Sequence, residues 1–305
     1  GCKGARDIPP KLLTGRFNVL QTIGKFGGFS GFLKRTESEY DVFGAGQASA
    51  FISAGVRIAE SQKYTGKKFK VVSIIGDGAM TGGLAFEALN NGGHLRTPLL
   101  VILNDNEMSI SPNVGAINTY LTKIVTNPIY NRIRDEIWNI TGKLPFGKRT
   151  ARSMLHRIEE SLKSLLVPGM LFEELGFRYF GPIDGYNIDE LVPTLERIKN
   201  LKTPALLHIL TKKGKGMEMA ENDPIKYHGL KPNGSSNGKV STTKDVPIFQ
   251  DVFGLLVCEI ARNRKDMVCI TAAMRAGTGL VPFAKEFPKR FSDVGIAAGH
   301  GVTFA

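Results

Sequence analysis

The sequence predicts an α/β fold with a parallel β-sheet and helices on both of its faces. Between residues 70 and 106, an apolar run, a helical pattern and a second apolar run follow one another, which is the order of a strand–helix–strand unit. The two runs, at 71–77 and 99–104, are rich in Val, Ile and Leu, as is typical of strands buried on both faces. Glycine makes up 35 of 305 residues, an excess over the usual share of about 7% that indicates tight turns and close backbone approaches.

Two helices are predicted beside these strands. One covers residues 48–60, and after the first strand Thr81 is expected to cap a second helix that leads to the next strand. We expect each helix to pack on the sheet with its apolar face. These faces comprise Ile52, Val56 and Ile58 in the first helix and Leu84, Ala85, Ala88 and Leu89 in the second.

The same alternation continues along the chain. A helix near 187–200, which contains Pro193, precedes a strand predicted at 205–210. His208 lies within that apolar strand, so it is expected to be a core histidine with satisfied hydrogen bonds. The first domain is therefore expected to occupy residues 1–230.

A linker and a second unit are predicted after this domain. Residues 231–247 contain several turn formers and almost no large apolar side chain, which is typical of a linker. A helix at about 248–263 and strands at 267–271 and near 293–297 then begin another α/β unit. Because these elements are too few for a complete core, we expect residues 248–305 to be the truncated start of a second, similar domain.

Composition and charge narrow the possible functions. With 42% hydrophobic and 22% charged residues the chain resembles a soluble globular protein, and no run approaches the roughly 18 apolar residues of a membrane span. The formal net charge of +12 suits anionic small substrates or nucleic acid. A solvated basic face is favoured over a nucleic-acid surface, because the basic residues are scattered and accompany no nucleic-acid motif. The three cysteines, Cys2, Cys258 and Cys269, have no metal-ligand spacing and indicate a reducing compartment rather than a disulfide framework.

The strongest motif for chemistry lies at the carboxyl ends of the first two predicted strands. "GDGAM" (76–80) ends one strand and "NDNEMS" (104–109) ends the next. Open α/β sheets bind ligands at this edge, and one crossover brings Asp77 and Asn106 to it. A carboxylate and an amide oxygen suit a hard cation such as Mg²⁺. The glycines and a helix N-terminus after Gly78 favour a phosphate group beside it.

These two elements are similar to the diphosphate-binding signature of thiamine-diphosphate enzymes. More specifically, the chain resembles the 1-deoxy-D-xylulose-5-phosphate synthase family of transketolase-type enzymes, and the matching segments run through essentially the whole chain in family order. They include "LLTGR" (12–16), "TESEYDVFG" (36–44), "GDGAMTGG" (76–83), "VILNDNEMSISPNVGA" (101–116), "LFEELGFRYFGPIDG" (171–185), "TKKGKG" (211–216), "YHG" (227–229) and "ITAAM" (270–274).

The resemblance implies a reaction and its partners. The family condenses pyruvate with glyceraldehyde 3-phosphate, releasing carbon dioxide, in isoprenoid and thiamine biosynthesis. It therefore implies thiamine diphosphate and Mg²⁺ as cofactors and a cytoplasmic homodimer (plastid stroma in a plant or alga), with neither nucleic acid nor membrane as partner. Residues 1–230 would be the diphosphate-binding domain, and residues 248–305 the start of the pyrimidine-binding domain.

The resemblance also implies roles for individual residues. Asp77, Asn106 and the Met108 carbonyl would hold the metal. His300 and His228 are the candidate catalytic residues. Lys213 would lie near the cofactor or the substrate, although a solvated loop lysine explains it equally well. The cofactor-binding residues would be Gly76, Asp77, Gly78, Ala79, Met80, Asn106 and Lys213.

The chain departs from the family at positions that handle protons. The closing stretch, "DVGIAAGHGVTFA" (293–305), has Ala298 where the family has a glutamate that contacts N1′ of the aminopyrimidine. Gln47 stands where the family has a histidine near the substrate, and Ala5, Pro10 and Tyr186 also replace histidines. Because losing one acid–base group typically costs 10²–10⁴-fold in rate, two hypotheses stay open. The chain is either a synthase-type enzyme or a catalytically impaired cofactor-binding homologue, for example a regulatory partner of the full-length synthase.

Overall fold

The fold is given by a computed structural model that describes residues 8–23, 25–44, 46, 48–106, 115–126, 169–224, 227 and 247–305. The first unit contains α1 (Ile8–Leu13), a 3₁₀ helix (Phe17–Thr22), α2 (Phe51–Thr65), β1 (Val71–Gly76), α3 (Asp77–Met80), α4 (Gly83–His94), β2 (Leu99–Asp105), α5 (Ala116–Thr126), α6 (Met170–Glu174), β3 (Arg178–Asp184), α7 (Ile188–Ile198), β4 (Ala205–Leu210) and α8 (Glu218–Asn222). The second contains α9 (Phe249–Asn263), β5 (Cys269–Thr271), α10 (Val281–Glu286), a 3₁₀ helix (Pro288–Arg290), β6 (Phe291–Asp293) and α11 (Ala298–Phe304).

Four strands form one parallel sheet in the order β1-β2-β4-β3. The register pairs Gly76 of β1 with Asn104 of β2, and Leu103 of β2 with His208 of β4. β5 and β6 form a separate parallel pair. The predicted α/β class with a parallel sheet is confirmed, and the carboxyl ends of all four strands share the edge where the motifs lie.

Helices cover both faces of the sheet, as predicted. Along β2, alternate side chains enter opposite clusters, because successive residues of a strand face opposite sides. Leu99, Val101 and Leu103 pack with side chains of α2, α4 and α5, whereas Leu100 and Ile102 pack with side chains of α7. Burying each aliphatic side chain contributes about 1.5–3 kcal/mol, so this two-sided core fixes the edge that carries the motifs.

The predicted N-cap of α4 is wrong. Gly82 takes the N-cap position, and Thr81 instead ends the short helix α3, where its hydroxyl donates to the Gly78 carbonyl at 2.7 Å. The reason is that Asp77–Met80 already forms a helical turn of its own. The prediction that Leu84 belongs to the apolar face of α4 is also wrong, because Leu84 is 38% exposed and lies outside the buried stripe of that helix.

The other boundaries agree less evenly, because the helix predicted at 48–60 is found at Phe51–Thr65. β4 covers the predicted residues, and α7 accommodates Pro193 without a break. β3 was not predicted from the sequence. The predicted strand at 293–297 is wrong, because β6 ends at Asp293, whose Oδ1 accepts hydrogen bonds from the backbone N–H groups of Ala273 and Gly295 and turns the chain.

The second unit has its own small core. It comprises Val257, Cys258, Ala261, Leu280 and Phe283. Burial raises the pKa of the Cys258 thiol above its ordinary value, which is typical of a packing cysteine rather than a reactive one. Most of the predicted linker lies outside the described residues, so the domain boundaries stay predictions. In the part of the chain that the structure describes, no helix has the length and apolarity of a membrane span.

Two ion pairs hold the segment before α2. Lys11 is fully buried, and its Nζ donates to the Ser30 carbonyl at 2.8 Å and to Oε2 of Glu37 at 2.7 Å. Arg16 contacts both carboxylate oxygens of Asp41, at 2.9 and 2.7 Å. The Arg16 guanidinium holds the pKa of the Asp41 carboxyl below its ordinary value, despite the opposing effect of burial. These contacts fix the segment that leads to Ser49.

Candidate cofactor and metal site

The first half of the site is the turn that follows β1. Gly76 is the N-cap of α3, and Asp77 is its first residue. The Asp77 side chain is only 2% exposed. A carboxylate this deeply buried requires compensating polar or charged partners. The turn therefore places one oxygen-donor side chain at the carboxyl edge of the sheet, as the sequence predicted.

The second half of the site follows β2. Gly76 of β1 pairs with Asn104 of β2. The residues that follow this pair are Asp77 on one strand and Asp105 and Asn106 on the other, and they therefore lie at the same edge of the sheet. Asn106 is half-buried. The structure thus places two of the three predicted metal ligands at the same edge of the sheet, on neighbouring strands, whereas Met108 lies outside the described residues.

The glycine-rich turn is tightly enclosed by two other segments. A Cβ atom on Gly82 would lie 2.2 Å from Oγ of Ser49 and 3.2 Å from the carbonyl oxygen of Ile296. The Ser49 hydroxyl donates to the Ala79 carbonyl at 2.6 Å. A larger residue at position 82 would force these neighbours to move, so glycine lets both segments pack closely on the turn that carries Asp77.

The carboxy-terminal residues lie in α11. Ala298 is its first residue, two positions after Ile296, and it is exposed. The imidazole of His300 is also exposed and stacks on Phe304, with ring centroids 5.3 Å apart. The ring contact of His300 is thus with a residue of its own helix. Gln47 and His228 lie outside the described residues.

The loop with Lys213 is held by a tyrosine. The hydroxyl of Tyr186 donates to the Lys212 carbonyl at 2.9 Å and accepts from the Lys212 N–H at 3.0 Å. Glu221 accepts a hydrogen bond from the Gly216 N–H at 2.9 Å and pairs with the Lys212 ammonium, and these contacts lower the pKa of the Glu221 carboxyl. Lys213 itself is half-buried. Tyr186 thus orders the backbone next to Lys213.

Sequence reasoning missed one feature beside the site. Asp105 is buried, and its Oδ2 lies 3.0 Å from Nε2 of His208. Nδ1 of His208 lies 2.7 Å from the hydroxyl of Tyr179. The prediction that His208 is a satisfied core histidine is confirmed. Its partner could have been suspected from the acidic residue between the two asparagines at the end of β2.

The donor set of the site differs from that of a transition-metal centre. Among the described residues, no group of three or more His, Cys, Asp or Glu side chains could hold a metal ion. Asp77 and Asn106 instead offer a carboxylate and an amide oxygen. Such hard oxygen donors fit Mg²⁺, which also keeps water and takes phosphate oxygens.

Comparisons with known proteins find the same family over most of the chain. A family model described as 1-deoxy-D-xylulose-5-phosphate synthase matches residues 4–211. The protein of that name from Pelotomaculum thermopropionicum is 48% identical over 302 residues, and the one from Syntrophus aciditrophicus is 49% identical over 305 residues. Each match covers 99% of this chain and 47% of the relative, so the chain spans about half the length of the curated relatives it matches.

A likeness to a solved structure is much weaker. A transketolase from Campylobacter jejuni aligns with 83% of this chain and 44% of its own chain, at 17% identity and a TM-score of 0.39. The family model, in contrast, covers more than half of the chain and includes the segments that carry Asp77 and Asn106. The chain belongs to the 1-deoxy-D-xylulose-5-phosphate synthase family.

Proposed function

We propose that this chain binds thiamine diphosphate and Mg²⁺ at the carboxyl edge of β1 and β2. The observation that supports the proposal is the pairing of Gly76 with Asn104, because the buried Asp77 and Asn106 follow these residues at the ends of neighbouring strands. Asp77, Asn106 and the Met108 carbonyl would hold the metal. The backbone at Gly76, Gly78, Ala79 and Met80 would lie beside the diphosphate, with Lys213 near the cofactor or the substrate.

The proposed reaction is that of the family. Pyruvate and glyceraldehyde 3-phosphate would condense with loss of carbon dioxide, yielding 1-deoxy-D-xylulose 5-phosphate for isoprenoid and thiamine biosynthesis. Bound thiamine diphosphate supplies the carbon nucleophile for this chemistry. The chain's own contribution would be to bind the metal and the diphosphate and to hold the turn before Gly82 in place through the packing of Ser49 and Ile296. His300 and His228 remain the proposed catalytic histidines. The support is membership of the family and the placement of the oxygen donors.

A second candidate function is favoured by the residue at position 298. Ala298 carries a methyl group and can neither hold nor release a proton, whereas the family position has a glutamate. Gln47 also does not titrate near neutrality. A chain with intact metal ligands and without these groups suits a catalytically impaired cofactor-binding homologue, for example a regulatory partner of a full-length synthase. Such a partner should co-purify with that enzyme.

We also propose that the protein works as a homodimer in the cytoplasm. The support for both is the resemblance to the family. In the described part of the chain, α9 additionally exposes large apolar side chains, among them Phe249 and Leu255. Sedimentation of the purified chain at several concentrations tests the dimer, and a single monomeric species throughout would contradict it.

The binding site is tested by calorimetric titration of thiamine diphosphate with and without Mg²⁺. We expect binding that requires the metal and that is lost in Asp77→Ala. Asp251→Ala is the matched control, because it removes the same charge from an exposed position on α9 and should leave the affinity unchanged. Binding that persists in Asp77→Ala would contradict the assignment of Asp77 as a metal ligand. If the parent chain does not bind thiamine diphosphate at all, the proposed function is wrong and the similarity to the family reflects common ancestry only.

A further inference from the structure

A row of three polar side chains links three strands next to the proposed metal site. Tyr179 on β3 contacts His208 on β4, and His208 contacts Asp105 at the end of β2, with the distances of 2.7 and 3.0 Å given above. His208 is fully buried, and Asp105 is 4% exposed. Polar groups buried this deeply are costly unless they are hydrogen-bonded, so the two contacts of His208 define its orientation.

The hydrogen bonds of this row have one consistent direction. A carboxylate only accepts hydrogen bonds, so Nε2 of His208 carries a hydrogen and donates it to Asp105. Nδ1 is then the acceptor for the Tyr179 hydroxyl. The Tyr179 ring lies parallel to Phe172, with centroids 5.9 Å apart, and Phe172 is fully buried. The row is therefore anchored in the core at one end and reaches the motif at the other.

The end of β4 holds the same motif through its backbone. The N–H of Thr211 donates to the Asp105 carbonyl at 2.8 Å, and the Thr211 hydroxyl donates to Oδ1 of Asn104 at 2.7 Å. Asp105 is thus fixed by both its side chain and its main chain. Because the peptide group is planar, a displacement of Asp105 also displaces Asn106, the next residue.

Stability alone gives little reason for such a row. Buried ionic and polar pairs are often no more stabilising than well-packed apolar residues of similar volume. The neighbours of His208 on β4, Leu206 and Leu207, are apolar and fully buried, so an apolar side chain would suit the strand. A role in placing the motif explains why a polar row is present at this position.

We propose that His208 is a positioning residue that sets the place of Asn106 through Asp105, and thereby the oxygen donors offered to the divalent cation. This inference rests on the proposed function, in which Asn106 is a metal ligand. Hydrogen-bond partners behind metal ligands typically change metal affinity by about 10–100-fold. His208 touches no reacting group, so it acts only through the geometry of the motif.

Two variants of similar polarity separate positioning from general stability. In His208→Gln, the side-chain amide nitrogen reaches about as far as Nε2 and keeps a donor for Asp105. In His208→Asn, the amide ends near the position of Nδ1 and does not reach Asp105. We expect magnesium-dependent thiamine diphosphate affinity to be nearly unchanged in His208→Gln and to fall by about 10–100-fold in His208→Asn.

Thr97→Val is the matched control. Thr97 is fully buried, and its hydroxyl donates to Oε1 of Glu60 at 2.6 Å. It precedes β2 at the opposite end from the motif, about 25 Å from Asp105 along the strand. We expect this variant to lower the melting temperature, as His208→Asn does, while leaving the affinity unchanged. Equal affinities in both His208 variants, or an equal loss in Thr97→Val, would overturn the proposal.

A second readout needs no cofactor. Hydrogen exchange at the backbone amides of residues 104–106, followed by NMR in the metal-free chain, should accelerate in His208→Asn but not in His208→Gln or Thr97→Val. If the parent chain fails to bind thiamine diphosphate, the proposed function is wrong, and this exchange measurement still decides the positioning role. If His208→Asn does not fold, Tyr179→Phe should show a smaller affinity loss in the same direction, and an unchanged affinity there would refute the role.

Discussion

Replacing Gly82 with alanine puts a methyl group where the structure leaves no space. The new Cβ would lie 2.2 Å from Oγ and 2.9 Å from Cβ of Ser49, and 3.2 Å from the Ile296 carbonyl oxygen. Carbon atoms in favourable contact are about 3.5–4.0 Å apart, so the neighbouring segments must move. The φ of Gly82 is −78°, which alanine adopts without strain. The whole cost therefore comes from these contacts.

The expected magnitude follows from the atoms involved. Overpacking costs about 1–3 kcal/mol, and displacing Ser49 also weakens its 2.6 Å hydrogen bond to the Ala79 carbonyl, worth about 0.5–1.5 kcal/mol. We expect Gly82→Ala to lose about 2–4 kcal/mol of unfolding free energy. Ser49 has a φ of 68°, so Ser49→Gly removes both clashing atoms and suits the left-handed backbone. Because it also removes the hydrogen bond to Ala79, it should cost at most about 0.5–1.5 kcal/mol alone.

The two substitutions form a double-mutant cycle. Urea unfolding followed by circular dichroism gives the free energy for the parent, each single variant and the double variant. We expect Ser49→Gly to restore most of the stability that Gly82→Ala loses, with a coupling of about 1–3 kcal/mol. Thiamine diphosphate affinity should follow the same pattern. A double variant as unstable as Gly82→Ala alone would refute the packing of Ser49 against the turn.

Two further predictions concern the segments that flank the site. Because Arg16 lowers the pKa of the folded-state Asp41 carboxyl below that of the unfolded chain, the pair stabilises the fold above pH of about 4 and this stability is lost as the pH falls through the folded pKa. Asp41→Asn should therefore flatten the dependence of unfolding free energy on pH between about 5 and 3, and an unchanged slope would contradict the pair. Tyr186→Phe removes both hydrogen bonds to the Lys212 backbone. It should lower the unfolding free energy in urea by about 0.5–1.5 kcal/mol and weaken cofactor binding. An unaltered affinity would show that this loop does not contribute to the site.

Much of the sheet could be predicted from local sequence. β1, β2 and β4 are apolar runs rich in branched side chains, and buried parallel strands need that composition. β3 escaped prediction because Gly181 and Pro182 interrupt its apolar run, and its pairing with β4 shifts register between Phe180 and Ile183. Local apolar pattern does not reveal a strand of this kind.

The site was predictable only in part, for a similar reason. Asp77 and Asn106 follow β1 and β2, two consecutive strands that a single helical crossover places side by side. The order of elements along the chain therefore predicts that both residues lie at the same edge of the sheet. The contact between Asp105 and His208 joins residues 103 positions apart, and no local pattern specifies it. The helix at Ala298 was also unexpected, because the turn at Asp293 depends on side-chain contacts with a neighbouring strand.

A cofactor-binding turn combined with a position 298 that cannot transfer protons would distinguish the proposed impaired homologue from an active synthase. The most direct test measures thiamine diphosphate affinity and carbon dioxide release from pyruvate with glyceraldehyde 3-phosphate, in the parent chain and in Ala298→Glu. We predict equal affinities and a rise in release of about 10²–10⁴-fold in Ala298→Glu. Ordinary turnover by the parent chain would favour the family reaction and contradict the impaired homologue, and the absence of any gain from the glutamate would also contradict it.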